Sequence, residues 1–479
     1  MNILFIYSLY DAGSSQKPLN SLETIQFGIS YISAYLKAHG HETKLDVIPS
    51  SFGNKYESSL GALIRSFQPR LVCFTAVSTE YAFICEVARY IKRNFPDTYL
   101  LIGGPHVSLN PEGVLADFDA LCVGEGEFPT LELVKQLEKK DSVPSCIPNL
   151  WIRNGSEIER NNTRSFLQDL DILPFPDRAM WERWVAQVRS SRVSVLLGRG
   201  CPFDCSYCCN HALRKLSTGN YTRFRSVENI LREVSRVILE YPLTKEVYFE
   251  VESIGTDMHW VRSLSAGLES LNRAQTEPVS FGTNIRVTPN LDFSSVFRVL
   301  KKANFRFINI GLESGSEKIR QEVMRRNYSN EEVIRAVQAA RSCGLQVSFL
   351  NMMGLPGESY SDFQETIRIN RICQPDWVGV SIFYPYPGTD LYRLCSDRNL
   401  LREPISTKME RSLAVLDLPG FGKNKIQKCR AWFEFDIYRG KRPLHRLLLA
   451  VLYNKLKSNP GTMLLLRRIK QMLKPYKYA

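Results

Sequence analysis

The sequence predicts an α/β protein made of two successive blocks of alternating strands and helices, followed by a helical C-terminal region. Three observations carry this. Short apolar runs alternate with amphipathic stretches through residues 1–140 and again through 186–400. A stretch at 141–185 holding Pro144, Pro148, Pro174 and Pro176 interrupts the alternation and reads as a linker. From 401 to 479 the pattern is helical and basic.

In the first block the strand candidates are Ile3–Tyr7, Thr43–Ile48, Arg70–Val77, Thr98–Gly103 and Ala120–Val123. Amphipathic stretches such as GISYISAYLKAHG and EYAFICEVARYIKRNF lie between them, so a parallel sheet wrapped by helices is expected. Strands ending in small residues, as in LIGGPH and CVGEGE, suit a Rossmann-like crevice at the carboxyl edge of that sheet. Within the linker, NLWIRNGSEIER carries an Asn-Gly hairpin signal.

In the second block the strand candidates are Val193–Gly198, Glu246–Glu252, Val279–Val287, Phe305–Glu313, Gln346–Met353 and Trp377–Tyr384. Six β/α steps in a row predict a partial or full β/α barrel with its chemistry at the carboxyl ends of the strands. In the C-terminal region, LHRLLLAVLYNKLK and MLLLRRIKQMLK give leucine-rich faces with Lys and Arg between them.

Composition narrows the setting. No apolar run is long enough to span a bilayer, and MNILFIYSLY lacks the basic start and cleavage site of a signal peptide. A cytoplasmic, reducing location is expected, in which the twelve cysteines do not pair. Ten of the net thirteen positive charges fall in residues 441–479, which hold no acidic residue. Such asymmetry points to an anionic surface such as a bilayer, the alternative being a helix packed on the barrel with a solvated basic face. Nucleic acid is not expected, because aromatic stacking platforms are sparse in the tail.

Four cysteines crowd into GRGCPFDCSYCCN, just after the first strand of the second block. Cys201, Cys205 and Cys208 form Cys-x-x-x-Cys-x-x-Cys, and three thiolates on one tight loop can hold three corners of a cubane iron–sulfur cluster. A structural zinc site wants four ligands. Cys209 or His211 could supply the fourth, but adjacent residues such as Cys208 and Cys209 do not easily converge on one tetrahedral ion.

The stretch resembles the radical S-adenosylmethionine (SAM) superfamily, whose hallmark is this three-cysteine loop after the first barrel strand. The resemblance implies that Cys201, Cys205 and Cys208 hold a [4Fe–4S] cluster. It implies that the open iron chelates SAM and that an electron from the cluster cleaves SAM to a 5′-deoxyadenosyl radical. Cys209 is left as a packing residue, and Tyr207 stands beside the adenine. VYFEVES is similar to a strand with acidic residues near the SAM amino group, which assigns Glu252, although Val251 departs from the commoner acidic pair. GTNIRV offers Arg286 as partner of the SAM carboxylate, with a structural ion pair as the alternative. INIGLESGSE assigns Glu313 and Ser314 near the ribose, and NMMGLPGES assigns Gly354 and Gly357 near the adenine. YPYPGTDLY is also typical of the subgroup.

The first block is similar to the cobalamin-binding domain fused to many radical SAM enzymes, through QFGISYISAYLKAHGHE, CFTAVSTEY, LIGGPHVS and VGEGE. The likeness places Ser78, Gly103 and Gly104 at the cofactor. One feature departs: where many such domains carry Asp-x-His-x-x-Gly, the matching stretch reads LDVIPSSFG, with Ile48 at the histidine position. Cobalamin is then expected without a protein imidazole on cobalt, the alternative being a fold that persists without the cofactor. His106, after the Gly-Gly turn, is read as a polar loop residue.

The resemblance covers residues 1 to about 395. It implies methyl transfer to an unactivated carbon, with a small-molecule or lipid substrate and an external electron donor of flavodoxin or ferredoxin type. The alternatives are a cyclase or oxidative rearrangement on a lipid or tetrapyrrole, and a SAM-binding module without turnover.

Overall fold

A computed structural model of the chain describes residues 1–10, 17, 19, 22–139, 143–185, 191–252, 254–255, 257–289, 291–401 and 410–457. It divides into two compact units. The first comprises Met1–Phe203, Cys208–Glu252 and Ser270–Ser280; the second comprises Asp204–Tyr207, Ser253–Glu269 and the chain from Phe281 onward.

The first unit holds a seven-stranded sheet. Its strands are β1 (Asn2–Leu9), β2 (Glu42–Pro49), β3 (Leu71–Thr75), β4 (Tyr99–Gly103), β5 (Ala120–Cys122), β6 (Leu150–Asn154) and β7 (Glu157–Arg160), in the order β2-β1-β3-β4-β5-β6-β7. The first five are parallel, and their near-continuous burial, as in NILFIYSL, is what a sheet covered on both faces requires. The helix Tyr81–Asn94 shows how the covering works. Ile84, Val87, Ala88 and Ile91 recur at helical spacing and are buried, while Arg93 ends it in solvent and Lys92 pairs with Asp119 at 2.6 Å.

The Asn-Gly hairpin is present. Gly155 takes φ +65° between β6 and β7, which pair antiparallel. It is no free linker, however: β6 pairs with β5, Ala120 opposite Ile152, so the sheet runs past the boundary expected at residue 140. The segment that follows is drawn inward by its apolar side chains. Trp181 is fully buried and donates its indole N–H to Ser30 Oγ at 2.8 Å, and Trp184 donates to the Leu45 carbonyl at 3.1 Å. Its prolines leave room for only short helical turns, Leu170–Ile172 and Ala179–Glu182, and do not keep the stretch out of a core.

The first unit also contains β8 (Arg192–Leu196), the short antiparallel pair β9 (Gly198–Arg199) and β10 (Arg223–Phe224), and β11 (Glu246–Glu250), parallel to β8. The amide of Ser280 donates to the Lys245 carbonyl, so β12 (Ser280–Ile285) begins in this unit. Beneath β8, the Glu233 carboxylate is fully buried between two arginines, Arg178 at 2.6 Å and Arg225.

The second unit carries the rest of β12, then β13 (Phe305–Glu313), β14 (Gln346–Met353) and β15 (Trp377–Ile382), all parallel. β13 and β14 have the bounds expected from sequence. Helices Phe293–Lys302, Asn330–Ser342 and Tyr360–Cys373 follow β12, β13 and β14. The last two start at capping boxes, Ser329 with Glu332 and Ser359 with Asp362. Two C-terminal helices, Lys423–Tyr438 and Leu444–Lys457, complete the described part. The segment MLLLRRIKQMLK lies outside the described residues. Among the described residues no helix is long and apolar enough to cross a membrane.

Candidate functional site

The cysteine loop leaves β9 through two glycines that nothing else could replace. A Cβ on Gly198 would stand 2.3 Å from the Arg223 carbonyl oxygen. Gly200 has φ +82°, and a Cβ there would stand 2.0 Å from the Tyr221 carbonyl oxygen. Arg199, between them, is held by Glu125 at 3.1 Å and by Glu127; Arg223 also reaches Glu125, at 3.0 Å. These acids belong to the VGEGE stretch, whose role as an anchor for β9 could not be read from sequence.

Of the three cysteines, Cys201 and Cys208 fall in the first unit and Cys205 in the second. Cys201 and Cys205 are buried and Cys208 is half-buried. Each of the last two sulfurs receives donors. Arg286 Nη1 lies 2.8 Å from Cys205 Sγ. Cys208 Sγ accepts the Asn210 backbone N–H at 3.5 Å and Asn210 Nδ2 at 3.6 Å, and Tyr221 fixes that amide by donating to its Oδ1 at 2.7 Å. The neighbouring Cys209 thiol holds the Cys208 pKa below its ordinary value, while Cys209 itself is pushed up and keeps its proton. Cys209 is thus a sulfur donor rather than only a packing residue. Among the described residues no set of three Cys, His, Asp or Glu side chains converges on a single ion. A cubane does not ask for that, since each thiolate takes a different iron. Thiolates supplied with N–H and S–H donors fit such a cluster, and they are what its charge requires.

In the second unit the residues around Cys205 form a connected group. Ser206 donates its N–H to the Met324 carbonyl at 3.3 Å and its hydroxyl to that of Val323 at 2.5 Å, at the end of a π-helical turn, Ile319–Val323. Arg326 places Nη1 2.6 Å from Glu313 and 3.2 Å from the Tyr207 hydroxyl. Glu313 has φ +59°, a left-handed conformation that costs a non-glycine residue on the order of 1 kcal/mol or more, and the Arg326 ion pair holds it there. Tyr207, Arg286 and Glu313 are therefore brought together with Cys205. Arg326 was missed, because RRNYS gives no sign of which arginine is buried.

Other expected residues sit differently. Ser314 is fully buried; its Oγ accepts the Ser316 N–H and its carbonyl accepts from Arg320, so it is spoken for within the protein. β11 ends at Glu250 and leaves Glu252 exposed. Glu250, not singled out from sequence, is pushed up to about 7 by burial and then by Glu23 and Glu252. Gly357 has φ +82° and open space around it. Gly354 and Leu355 donate their N–H groups to one oxygen of the buried Glu358 carboxyl.

Burial pushes Glu358 up to about 8 from an ordinary 4.5. The folded state then holds the proton more tightly than the unfolded chain does. The stability this group contributes is complete below about 4.5 and is lost as pH rises through about 8. Glu358→Gln keeps the acceptor for both N–H groups. In thermal melts it should match the wild type near pH 5 and exceed it above pH 8, by on the order of a few kcal/mol. A variant whose melting follows the wild type at both pH values would contradict the assignment.

At the carboxyl edge of the first sheet, the strand order reverses between β1 and β3, which is where open α/β sheets leave a crevice. Ser78 Oγ lies 3.0 Å from His106 Nδ1, and the His106 ring packs on Tyr81 at 4.6 Å. Gly104 takes φ +107°, and a Cβ there would stand 2.8 Å from the Ala76 carbonyl oxygen. At Gly103 a Cβ would make only ordinary contact. His106 Nε2 is buried without a hydrogen-bond partner among the described residues, and burial lowers its pKa, favouring a neutral ring. An unsatisfied buried nitrogen beside a side-chain-free turn fits a ligand such as cobalamin at this edge. Ile48, at the position of the family's histidine, lies in β2 where the strand candidate Thr43–Ile48 put it, and packs in the hydrophobic core.

Residues 195–369 match the radical SAM superfamily. The chain belongs to the radical SAM superfamily. Residues 21–134 of this radical SAM protein match the B12 binding domain. It is 26% identical over 406 residues to an uncharacterized methyltransferase of Pyrococcus horikoshii, covering 84% of this chain and 85% of the relative. It is 23% identical over 407 residues to the anaerobic magnesium-protoporphyrin IX monomethyl ester cyclase of Rubrivivax gelatinosus, covering 83% and 70%. Among solved structures, the cobalamin-dependent S-adenosylmethionine radical enzyme OxsB, with aqua-cobalamin and SAM bound, superimposes with a TM-score of 0.68. It is 14% identical, the match covers 98% of this chain and 75% of that one, and the likeness is one of fold.

Proposed function

We propose that this radical SAM protein is a cobalamin-dependent methyltransferase acting on an unactivated carbon. The observation that carries the reading is the supply of hydrogen-bond donors to the cysteine sulfurs, in a chain that also holds a B12 binding domain. When bound, the reduced cluster supplies the electron that opens SAM to a 5′-deoxyadenosyl radical, and cobalamin carries the methyl group. The protein's part is to hold and orient. Cys201, Cys205 and Cys208 take the irons, while Asn210, Arg286 and the Cys209 thiol favour their anionic form. Tyr207, Glu252, Arg286, Glu313, Gly354 and Gly357 are assigned to SAM, while Ser314, whose N–H, carbonyl and hydroxyl all bond within the protein, shapes the turn after Glu313. Ser78, Gly103 and Gly104 are assigned to cobalamin.

The substrate is a small molecule or a lipid, and β12–β15 offer it a row of uncharged side chains. Asn284, Asn309, Ser348 and Trp377 lie in one row across the four strands, and Asn309 donates to Asn284 at 3.2 Å. In the next row Gly311, Leu350 and Gly379 stand side by side, with Leu350 exposed. Leu350 offers an apolar surface there, while the space over the glycines is taken, by Glu313 and Arg326 at Gly311 and by the Trp377 ring at Gly379.

The test is anaerobic reconstitution with iron and sulfide, then SAM carrying a deuterated methyl group and a flavodoxin-type reductant. The expected products are 5′-deoxyadenosine and S-adenosylhomocysteine. 5′-Deoxyadenosine without S-adenosylhomocysteine would favour the second reading, ring closure or oxidative rearrangement, which the Rubrivivax gelatinosus relative's name suggests. Neither product would leave a SAM-binding module. Asn210→Ala should retain bound iron but shift the cluster's midpoint potential and slow 5′-deoxyadenosine release by roughly 10–100-fold. An unchanged potential would remove Asn210 from this role.

A further inference from the structure

The helix Leu444–Lys457 is apolar on two sides, and among the described residues only one of them meets the protein. Leu447 and Val451 are buried. Leu444, Leu448 and Leu452, at i, i+4 and i+8, are 61%, 45% and 44% exposed. Positions so spaced fall within about 80° on a helix and make one continuous stripe. Lys441, Arg442, His445 and Lys455 are the exposed polar residues around it. No acidic residue occurs anywhere in 441–479.

We propose that this stripe is a docking face for an anionic phospholipid surface, on which the helix lies in the plane of the bilayer. The commitment to lipid rests on charge. Leucines flanked along their own segment by Lys441, Arg442 and Lys455 and by no carboxylate match an apolar layer beneath a negative headgroup layer. Three leucines in line are also a narrow patch beside what a stable protein–protein interface needs. The helix is not long and apolar enough to cross the bilayer, so it would rest on it. A nucleic acid would not use an apolar centre of this kind.

The full-length protein should be sedimented with vesicles of pure phosphatidylcholine and with vesicles containing one-quarter phosphatidylglycerol, at low and high salt. Binding to the anionic vesicles should exceed binding to the neutral ones by about tenfold or more and weaken with salt. Leu448→Glu and Leu452→Glu, at exposed positions, should each reduce it by about tenfold, and Lys441→Glu by less, with unchanged thermal melting and 5′-deoxyadenosine release. Equal binding to both vesicle types overturns the proposal. So does wild-type binding by the leucine variants together with its loss on removing residues 458–479, which would assign the lipid contact elsewhere. A dimer in light scattering that Leu448→Glu dissociates would show a second copy as the occupant, and likewise overturns it.

Discussion

Replacing Cys201, Cys205 or Cys208 singly with alanine should abolish 5′-deoxyadenosine formation and the visible absorption of the reconstituted cluster. Replacing Cys209 should leave both in place. The contrast follows from what each sulfur faces. Cys205 and Cys208 sit under N–H donors at 2.8 and 3.5 Å, which stabilise sulfur as an anion, and Cys201 is fixed by the glycine turn at Gly200. A cubane with one open iron has no spare ligand, so losing a single thiolate removes a corner that no neighbour can fill. Cys209 holds its proton and acts on Cys208 as a hydrogen-bond donor, so Cys209→Ala should alter the cluster's potential more than its occupancy. Iron content, the low-temperature electron resonance signal and SAM cleavage measure the three effects separately. A chain that keeps its cluster with Cys205→Ala, or loses it with Cys209→Ala alone, would overturn the assignment of the ligands.

Glu233→Ala should be the most damaging single change in the first unit, costing about 3–5 kcal/mol. Glu233 is fully buried and bridges Arg178 at 2.6 Å to Arg225. Removing the carboxylate strands two guanidinium groups away from water. Arg178 keeps one bond to the Ser194 carbonyl at 2.7 Å, and Arg225 keeps Asn229 and the Leu196 carbonyl, but neither replaces the lost charge. Arg178→Met combined with Glu233→Met should cost less than Glu233→Ala, because the pair is removed with its desolvation. Urea unfolding of the three proteins decides it. A loss below about 1 kcal/mol for Glu233→Ala would show that water reaches the arginines.

The strands were legible because buried strand faces write apolar patterns, nearly continuous in β1 and alternating in β13 and β14. The last two keep their expected bounds to the residue. The Asn154–Gly155 turn was legible for the same local reason, since φ above zero demands glycine. The partner of that hairpin was not, because pairing β6 with β5 depends on which edge lies free once the helices have packed. Ile48 was legible in the same way as the strands: its apolar neighbourhood marked the strand Thr43–Ile48, and it is buried there.

The sequence by itself determined the three-cysteine loop, the glycines that shape it, and the order of β/α steps that sets it at a strand end. These are properties of short segments, where spacing and backbone freedom act within a few residues. Only the tertiary structure decided which charges serve the sulfurs and which serve the fold. Arg286 reaches Cys205 across 81 residues and Arg326 reaches Tyr207 across 119, while Arg178 and Arg225 close on Glu233 instead. A guanidinium acts through a few ångströms of space, and folding brings together partners whose separation along the chain carries no trace of that distance.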